Sequence, residues 1–64
     1  MIKVNGEWEE FMPESVAQML KRRGIDSRGI AVALNGDVVP RSQWDRATID
    51  DGATIEIVTA AAGG

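Results

Sequence analysis

The sequence predicts an α+β domain in which two strands, one helix and three further strands follow one another in the order ββαβββ. Two dipeptides, Asn5-Gly6 and Asn35-Gly36, each separate short apolar or alternating segments, a pattern typical of β-hairpins. Between them, residues 15–24 have the start and stop signals of a helix. An alternating segment at residues 54–58 adds the last of about five strands, which would form a sheet packed on that helix.

The first hairpin places Ile2 and Val4 on one face and returns through residues 8–11. A two-residue loop would put two glutamates of the return strand on that apolar face, where buried carboxylates are costly. We therefore expect a three-residue or bulged loop, which places Glu9 opposite Lys3.

The two tryptophans have different expected roles. Trp8 lies beside Val4 in the expected register, but a shorter loop would turn it outward and make it a candidate partner contact. Trp44 follows a strand as a lone aromatic residue in a loop, where an aromatic side chain more often covers the core than binds a partner. We therefore favour a structural role for Trp44.

The helix begins with a capping box formed by Ser15 and Gln18. Gly24 supplies the stop signal, and Ile25 after it is expected to pack on Leu20, as in a Schellman ending. Apolar residues recur at helical spacing between the two ends. These residues are Val16, Met19 and Leu20.

The second half of the chain continues as a hairpin, a connection and a last strand. Residues 30–34 alternate large and small apolar side chains, and Pro40 ends the returning strand because it has no N–H to donate. Residues 41–51 lack clear periodicity, so we expect a loop with a short helical turn, held by Trp44 and Ile49. A turn at residues 50–52 precedes the last strand.

The alternation of these strands predicts two different sheet faces. The large apolar residues would face the helix; they are Ile30, Val32, Leu34, Ile55 and Ile57. Small apolar residues would then form a smooth outer face, which we treat as a possible partner surface. These residues are Ala31, Ala33 and Val58.

Composition excludes several classes of function. The chain has 64 residues with no Cys and no His, so it lacks the usual ligands of zinc and the usual nucleophile–base pairs. Its formal net charge of -3 is unfavourable for binding nucleic acid. Met1 leads directly into a strand pattern, and no apolar stretch approaches the roughly 20 residues that span a bilayer. We expect a cytoplasmic protein with no membrane or nucleic-acid partner and no metal.

The acidic residues and methionines are interpreted as structural. Four carboxylates near the first hairpin could resemble a paired-carboxylate site, but a solvated strand edge and helix start explain them better. These residues are Glu7, Glu9, Glu10 and Glu14. Met12 and Met19 are expected to fill space around the helix.

The end of the sequence is the candidate functional segment. We expect residues 1–59 to form the domain and residues 60–64 to form a flexible tail, because so short a run cannot meet the nucleation cost of a helix. Glycine has no Cβ to obstruct a narrow channel, and a terminal carboxylate becomes an electrophile only after activation. The tail consists of the spacer Ala60, Ala61 and Ala62 followed by Gly63 and Gly64.

Motifs throughout the chain point to one family. They are Val4-Asn5-Gly6, Ser15-Val16, Ala33-Leu34-Asn35-Gly36, Val39-Pro40-Arg41-Ser42-Gln43-Trp44, Asp51-Gly52 and Ala62-Gly63-Gly64. With these motifs the chain resembles the ThiS family of sulfur carrier proteins, which belong to the ubiquitin-like β-grasp superfamily. The central Pro-Arg-x-x-Trp stretch is the most discriminating of them. The resemblance implies a β-grasp fold, which is a mixed sheet of about five strands wrapped around one helix, with the first and last strands side by side at the centre of the sheet.

The resemblance also implies a function. A ThiF-like adenylating enzyme would use ATP to convert the Gly64 carboxylate into an acyl adenylate, and a persulfide from a sulfur donor protein would then replace the leaving group. Thiazole synthase, a ThiG-like enzyme, would take sulfur from the resulting thiocarboxylate into the thiazole ring of thiamin. The carrier would be a co-substrate, with no catalytic residue and no bound cofactor of its own.

Three alternatives stay open on the sequence alone. The chain could carry sulfur in another pathway, like the small subunit of molybdopterin synthase. It could instead be a ubiquitin-like modifier that forms isopeptide bonds with lysines. It could also be a passive interaction domain in which Gly63 and Gly64 are incidental.

Overall fold

A computed structural model describes residues 1–59 of the protein. Within these residues the chain forms seven strands, one α-helix and one 3₁₀ turn. They are β1 (Ile2–Val4), β2 (Glu7–Glu9), β3 (Glu14–Ser15), α1 (Val16–Arg22), β4 (Ile30–Leu34), β5 (Asp37–Val39), the 3₁₀ turn (Arg41–Gln43), β6 (Thr48–Ile49) and β7 (Thr54–Thr59). The predicted α+β class and the order of its main elements are confirmed, with β3 and β6 as additions.

The main sheet of the described residues contains five strands in the order β2-β1-β7-β4-β5. The central pair β1 and β7 is parallel, with Val4 opposite Ile55, and the other neighbours are antiparallel. The first and last strands therefore lie side by side at the centre, as expected. A parallel pair needs a long crossover connection, and here that connection contains the helix and the second hairpin.

The first hairpin differs from the sequence prediction. Its loop has two residues, Asn5 and Gly6, with φ of 50° and 84°, as a type I′ turn requires. The register pairs Ile2 with Glu9 and Lys3 with Trp8, and the return strand is Glu7–Glu9. The expected longer loop, the return through residues 8–11 and the placement of Glu9 opposite Lys3 are therefore wrong.

Arginines at the end of the helix explain why Glu9 is tolerated on the apolar face. Both glutamates of this face lie on the edge strand β2, where Glu7 is exposed and Glu9 is half-buried. Its carboxylate accepts hydrogen bonds of 2.9 and 2.8 Å from Nη1 of Arg23, and Arg22 lies 3.8 Å away. The charge is therefore paired at the margin, and the short type I′ turn is retained.

The helix ends are built as the sequence predicts. The Ser15 hydroxyl accepts from the Gln18 backbone N–H, and the Gln18 side chain accepts from the Ser15 N–H. At the other end, Gly24 has φ of 70°, and the N–H of Ile25 donates to the carbonyl of Leu20. These contacts form a capping box and a Schellman motif, so both predicted signals are confirmed.

The core lies between α1 and the inner face of the main sheet. Its buried apolar residues are Ile2, Val4, Val16, Met19, Leu20, Val32, Trp44, Ile49, Ala53 and Ile55. Met19 is a core residue as predicted, whereas Met12 is exposed and its expected filling role is wrong. Among residues 1–59, no helix combines the length and apolar character that crossing a bilayer would need.

The connection after β5 contains more order than its sequence indicates. The 3₁₀ turn confirms the expected helical turn, and Trp44 and Ile49 are both buried. The short strand β6 pairs with β3 just before the helix, with Glu14 opposite Ile49. This pairing fixes the start of α1 against the loop, because the N–H of Val16 donates to the carbonyl of Ala47.

Candidate functional site

The central strand β7 carries the chain to the predicted tail. It is held by β4 along its length, and its last residue, Thr59, pairs with Ile30 at the start of β4. The tail residues predicted to act lie outside the described residues, so their roles stay predictions. They are Ala60, Ala61, Ala62, Gly63 and Gly64. What the structure defines is the strand that precedes them.

The outer face of the main sheet contains the predicted partner surface. Ala31 pairs with Val58, and Ala33 lies between Glu56 on one side and Val38 on the other. Val58 is 54% exposed and Val38 is 72% exposed, while the two alanines are half-buried between their neighbours. The large apolar neighbours of these strands point inward, so the predicted division of the faces is confirmed.

The small side chains of Ala31 and Ala33 leave a shallow hollow of about 120 Å³ on this face. The side chains of Val38, Glu56 and Val58 line it together with the two alanines. The hollow lies against β7, the strand that leads to residue 60.

The same face continues across the sheet to Trp8. The two-residue hairpin loop turns Trp8 outward, where it is 61% exposed, and the ammonium group of Lys3 lies 5.3 Å from the centre of its ring. This contact is a cation–π interaction at an exposed site. The shorter loop therefore makes Trp8 an outward-facing candidate for a partner contact, which is the alternative given for it above. Trp8 and Val38 are additions to the predicted surface, and both could have been found from the hairpin registers.

Trp44 has the structural role that its sequence context favours. Its side chain is 6% exposed, and its indole N–H donates to the carbonyl of Val39 over 2.9 Å. The Arg41 guanidinium stacks 4.8 Å from the ring centre, and its Nη2 also donates to the carbonyl of Ser27. The Pro-Arg-x-x-Trp motif thus closes one side of the core and ties the connection after β5 to the loop that precedes β4.

Two of the four glutamates near the first hairpin are paired with arginines. Nε and Nη2 of Arg22 donate to both oxygens of Glu14, with Nη2 at 2.7 Å, and Glu9 is held by Arg23. The hydrogen bond to Glu14 is the main cause that raises the pKa of Arg22 above its ordinary value. Within residues 1–59, no group of three or more His, Cys, Asp or Glu side chains is arranged to hold a metal ion. Glu9 and Glu14 lie at a strand edge and a helix start as expected, but the Glu14 side chain is only 9% exposed and is paired with Arg22, so the expectation that it is solvated is wrong.

Similarity to known proteins identifies the family. The model of the ThiS family matches residues 2–64. The chain belongs to the ThiS family. A crystal structure of the thiamine biosynthesis protein ThiS from Geobacter metallireducens superposes with a TM-score of 0.82 at 27% identity, over 98% of this chain and 97% of that chain. A solution structure of a thiamine biosynthesis protein from the same organism gives 0.72 at 26% identity, over 89% and 78%.

These matches bear out the β-grasp fold. A further relative is a thiazole synthase from Paramagnetospirillum magneticum, which is 37% identical over 62 residues. The match covers 95% of this chain but only 19% of that enzyme. The chain therefore spans about a fifth of the length of that relative.

Proposed function

We propose that this member of the ThiS family carries sulfur as a thiocarboxylate on Gly64 and donates it to the thiazole ring of thiamin. The observation that carries the proposal is the family match, which runs through residue 64 and so includes Gly63 and Gly64. The fold supports it, because the strand before residue 60 is the central strand of the sheet. A rigid strand followed by small residues suits the delivery of a carboxylate into another protein's active site.

The first step of the proposed chemistry is activation. The Gly64 carboxylate attacks the α-phosphorus of ATP, pyrophosphate leaves, and an acyl adenylate forms. A ThiF-like adenylating partner binds the ATP, and the carrier contributes the nucleophilic carboxylate. A persulfide sulfur from a donor protein then attacks the carbonyl carbon and displaces AMP, and a thiol releases the thiocarboxylate from the donor.

Thiazole synthase is the proposed acceptor of the sulfur. A thiazole synthase contains a segment 37% identical to this chain, which supports a working relationship between the two kinds of protein. A thiocarboxylate sulfur is softer and more nucleophilic than a carboxylate oxygen, so it can attack an electrophilic precursor of the thiazole. The chain acts in this scheme as a co-substrate.

The outer face of the sheet is the proposed docking surface for the adenylating partner. Replacing Ala33 by Arg would put a long charged side chain into the hollow, where it can extend into solvent without unfolding the domain. We expect the KM for the carrier to rise about tenfold, which corresponds to about 1.4 kcal/mol of binding. Thr48→Arg is the matched control, because Thr48 is exposed on β6, outside the main sheet. Unchanged activation kinetics in Ala33→Arg would exclude this face.

The function itself is tested by reconstitution with thiazole synthase. The full chain and a variant lacking Gly64 are each supplied with ATP, an adenylating enzyme and a sulfide source, and thiazole formation is measured. The full chain should support formation and the shortened variant should not. Covalent adducts on lysines of other proteins, with no thiazole, would indicate a modifier instead. Equal thiazole formation by both chains would contradict carriage through Gly64.

A further inference from the structure

The side chain of Asn5 extends the hydrogen bonding of β7 beyond the end of β1. Asn5 occupies the first position of the β1–β2 turn, and its own backbone N–H donates to the carbonyl of Ile55 over 2.9 Å. Its Oδ1 accepts from the N–H of Ile57 at 2.7 Å, and its Nδ2 donates to the carbonyl of Ile57 at 3.2 Å. One amide side chain thus satisfies both backbone groups of Ile57, as a neighbouring strand would.

This contact lies at the place where β1 leaves the sheet. The ladder between the two strands pairs Lys3 with Thr54 and Val4 with Ile55, and the chain then turns at Asn5. On the other side, β4 continues to pair with β7 as far as Thr59. Ile57 is therefore held by β4 on one side and by the Asn5 amide on the other. Residue 60 follows three residues after Ile57.

The second Asn-Gly turn offers a matched comparison at the opposite end of β7. Asn35 has φ of 52°, close to the 50° of Asn5, and it also begins a two-residue hairpin turn. Its Oδ1 accepts from the N–H of Thr54 at 2.9 Å, and its backbone N–H donates to the carbonyl of Thr54 at 2.7 Å. Asn35 therefore holds the beginning of β7, whereas Asn5 holds the part that leads to residue 60.

We propose that Asn5 is a positioning residue for activation of Gly64, acting through the Ile57 backbone. This inference rests on the proposed function. The segment that carries Gly64 begins directly after Thr59, so a change in the direction of β7 at Ile57 changes the point from which that segment starts. Displacements of about 1 Å already lower the rate of reactions that depend on near-attack geometry. Asn5 therefore contributes to the rate of adenylation and not to docking of the sheet face.

The test compares Asn5→Gly with Asn35→Gly in the full chain. Glycine accepts positive φ, so both turns are retained while each side-chain amide is removed. Hydrogen exchange by NMR reports the Ile57 and Thr54 amides, and pyrophosphate release with ATP and an adenylating enzyme gives kcat and KM for the carrier. We expect Asn5→Gly to lose protection at Ile57 and about tenfold in kcat, with KM within twofold of the wild type. Asn35→Gly should lose protection at Thr54 and keep its kcat.

Comparison of kcat and KM between the two variants separates a positioning role of Asn5 from a role in stability. Below the unfolding temperature, a purely structural contribution would leave kcat of the folded protein unchanged in both variants. Equal kcat values for Asn5→Gly and Asn35→Gly, with Ile57 deprotected, would overturn the positioning inference while the wild type is still activated. A wild-type chain that is not activated at all would overturn the proposed function, and this inference with it.

Discussion

The two tryptophans should affect different properties: substitution of Trp44 should lower stability, whereas substitution of Trp8 should lower the rate of activation. Trp44→Phe removes the indole N–H that donates to Val39 over 2.9 Å, a bond whose loss costs about 1 kcal/mol. The smaller ring leaves a cavity under a side chain that is only 6% exposed, which costs about 1–2 kcal/mol more. The total loss is about 2–3 kcal/mol of unfolding free energy.

In a domain of this size, each kcal/mol shifts Tm by about 4–8 °C, so Trp44→Phe should lower Tm by about 10–20 °C. Trp8→Phe is the matched substitution at a site that is 61% exposed, and it should change stability by less than about 0.5 kcal/mol. Thermal unfolding followed by circular dichroism measures both shifts. Equal shifts in the two variants would refute the assignment of Trp44 as the buried member of the pair.

Activation should follow the opposite pattern. At about 15 °C, where Trp44→Phe stays folded, its kcat/KM with the adenylating enzyme should equal that of the wild type. Trp8→Ala should lose about 5- to 30-fold in kcat/KM, because truncating an aromatic contact residue costs about 1–2 kcal/mol of binding. A loss of activation in folded Trp44→Phe, with none in Trp8→Ala, would place the partner contact on the other side of the domain.

Two ion pairs give further predictions. Arg22→Met leaves the Glu14 carboxylate, whose side chain is 9% exposed, without its bidentate partner, so the free energy of unfolding should fall by about 1–3 kcal/mol. Adding Glu14→Gln to the same chain should recover part of this loss. Denaturant titration measures both effects, and no loss in Arg22→Met would contradict the pairing. The side-chain hydrogen bond from Arg28 lowers the pKa of Asp26, so its carboxyl should titrate below the ordinary aspartate range by NMR. The small stabilisation from that pair is present above the ordinary aspartate pKa and is lost as pH falls through the lowered pKa of Asp26. Arg28→Ala should raise the titration midpoint of Asp26. An unchanged midpoint would contradict the contact.

Local signals predicted the helix and the second hairpin because those signals act over a few residues. The capping box needs only Ser15 and Gln18, and the Schellman ending needs only Gly24 and its neighbours. The Asn35-Gly36 turn lies between two short apolar strands that pair with each other. In each case the stabilising contacts are nearly all within the segment itself, so the sequence pattern contains them.

The first hairpin register could not be predicted from its own residues. The cost of placing Glu9 on the apolar face was overestimated, because its partners Arg22 and Arg23 are more than ten residues away at the end of α1. Edge position and a distant ion pair removed the penalty on which the expectation depended. The pairing of β3 with β6 is a similar case, since two-residue strands have no periodicity to detect.

The candidate site was predicted in part for the same reasons. Alternation along β4 and β7 placed Ala31, Ala33 and Val58 on the outer face, and the structure brings them together. Trp8 joined that face only once the hairpin register was known. The hydrogen bonds between the Asn5 side chain and the Ile57 backbone join residues that are 52 positions apart, so no local pattern could show them.

The most direct test of the central claim is the intact mass of the chain after activation. The protein is incubated with ATP, an adenylating enzyme and a sulfide source, and the C-terminal peptide is then fragmented in the mass spectrometer. The account predicts a mass increase equal to the exchange of one oxygen for one sulfur, located on Gly64, and no increase in a variant that lacks Gly64. An unmodified wild-type chain, or sulfur located on any other residue, would contradict it.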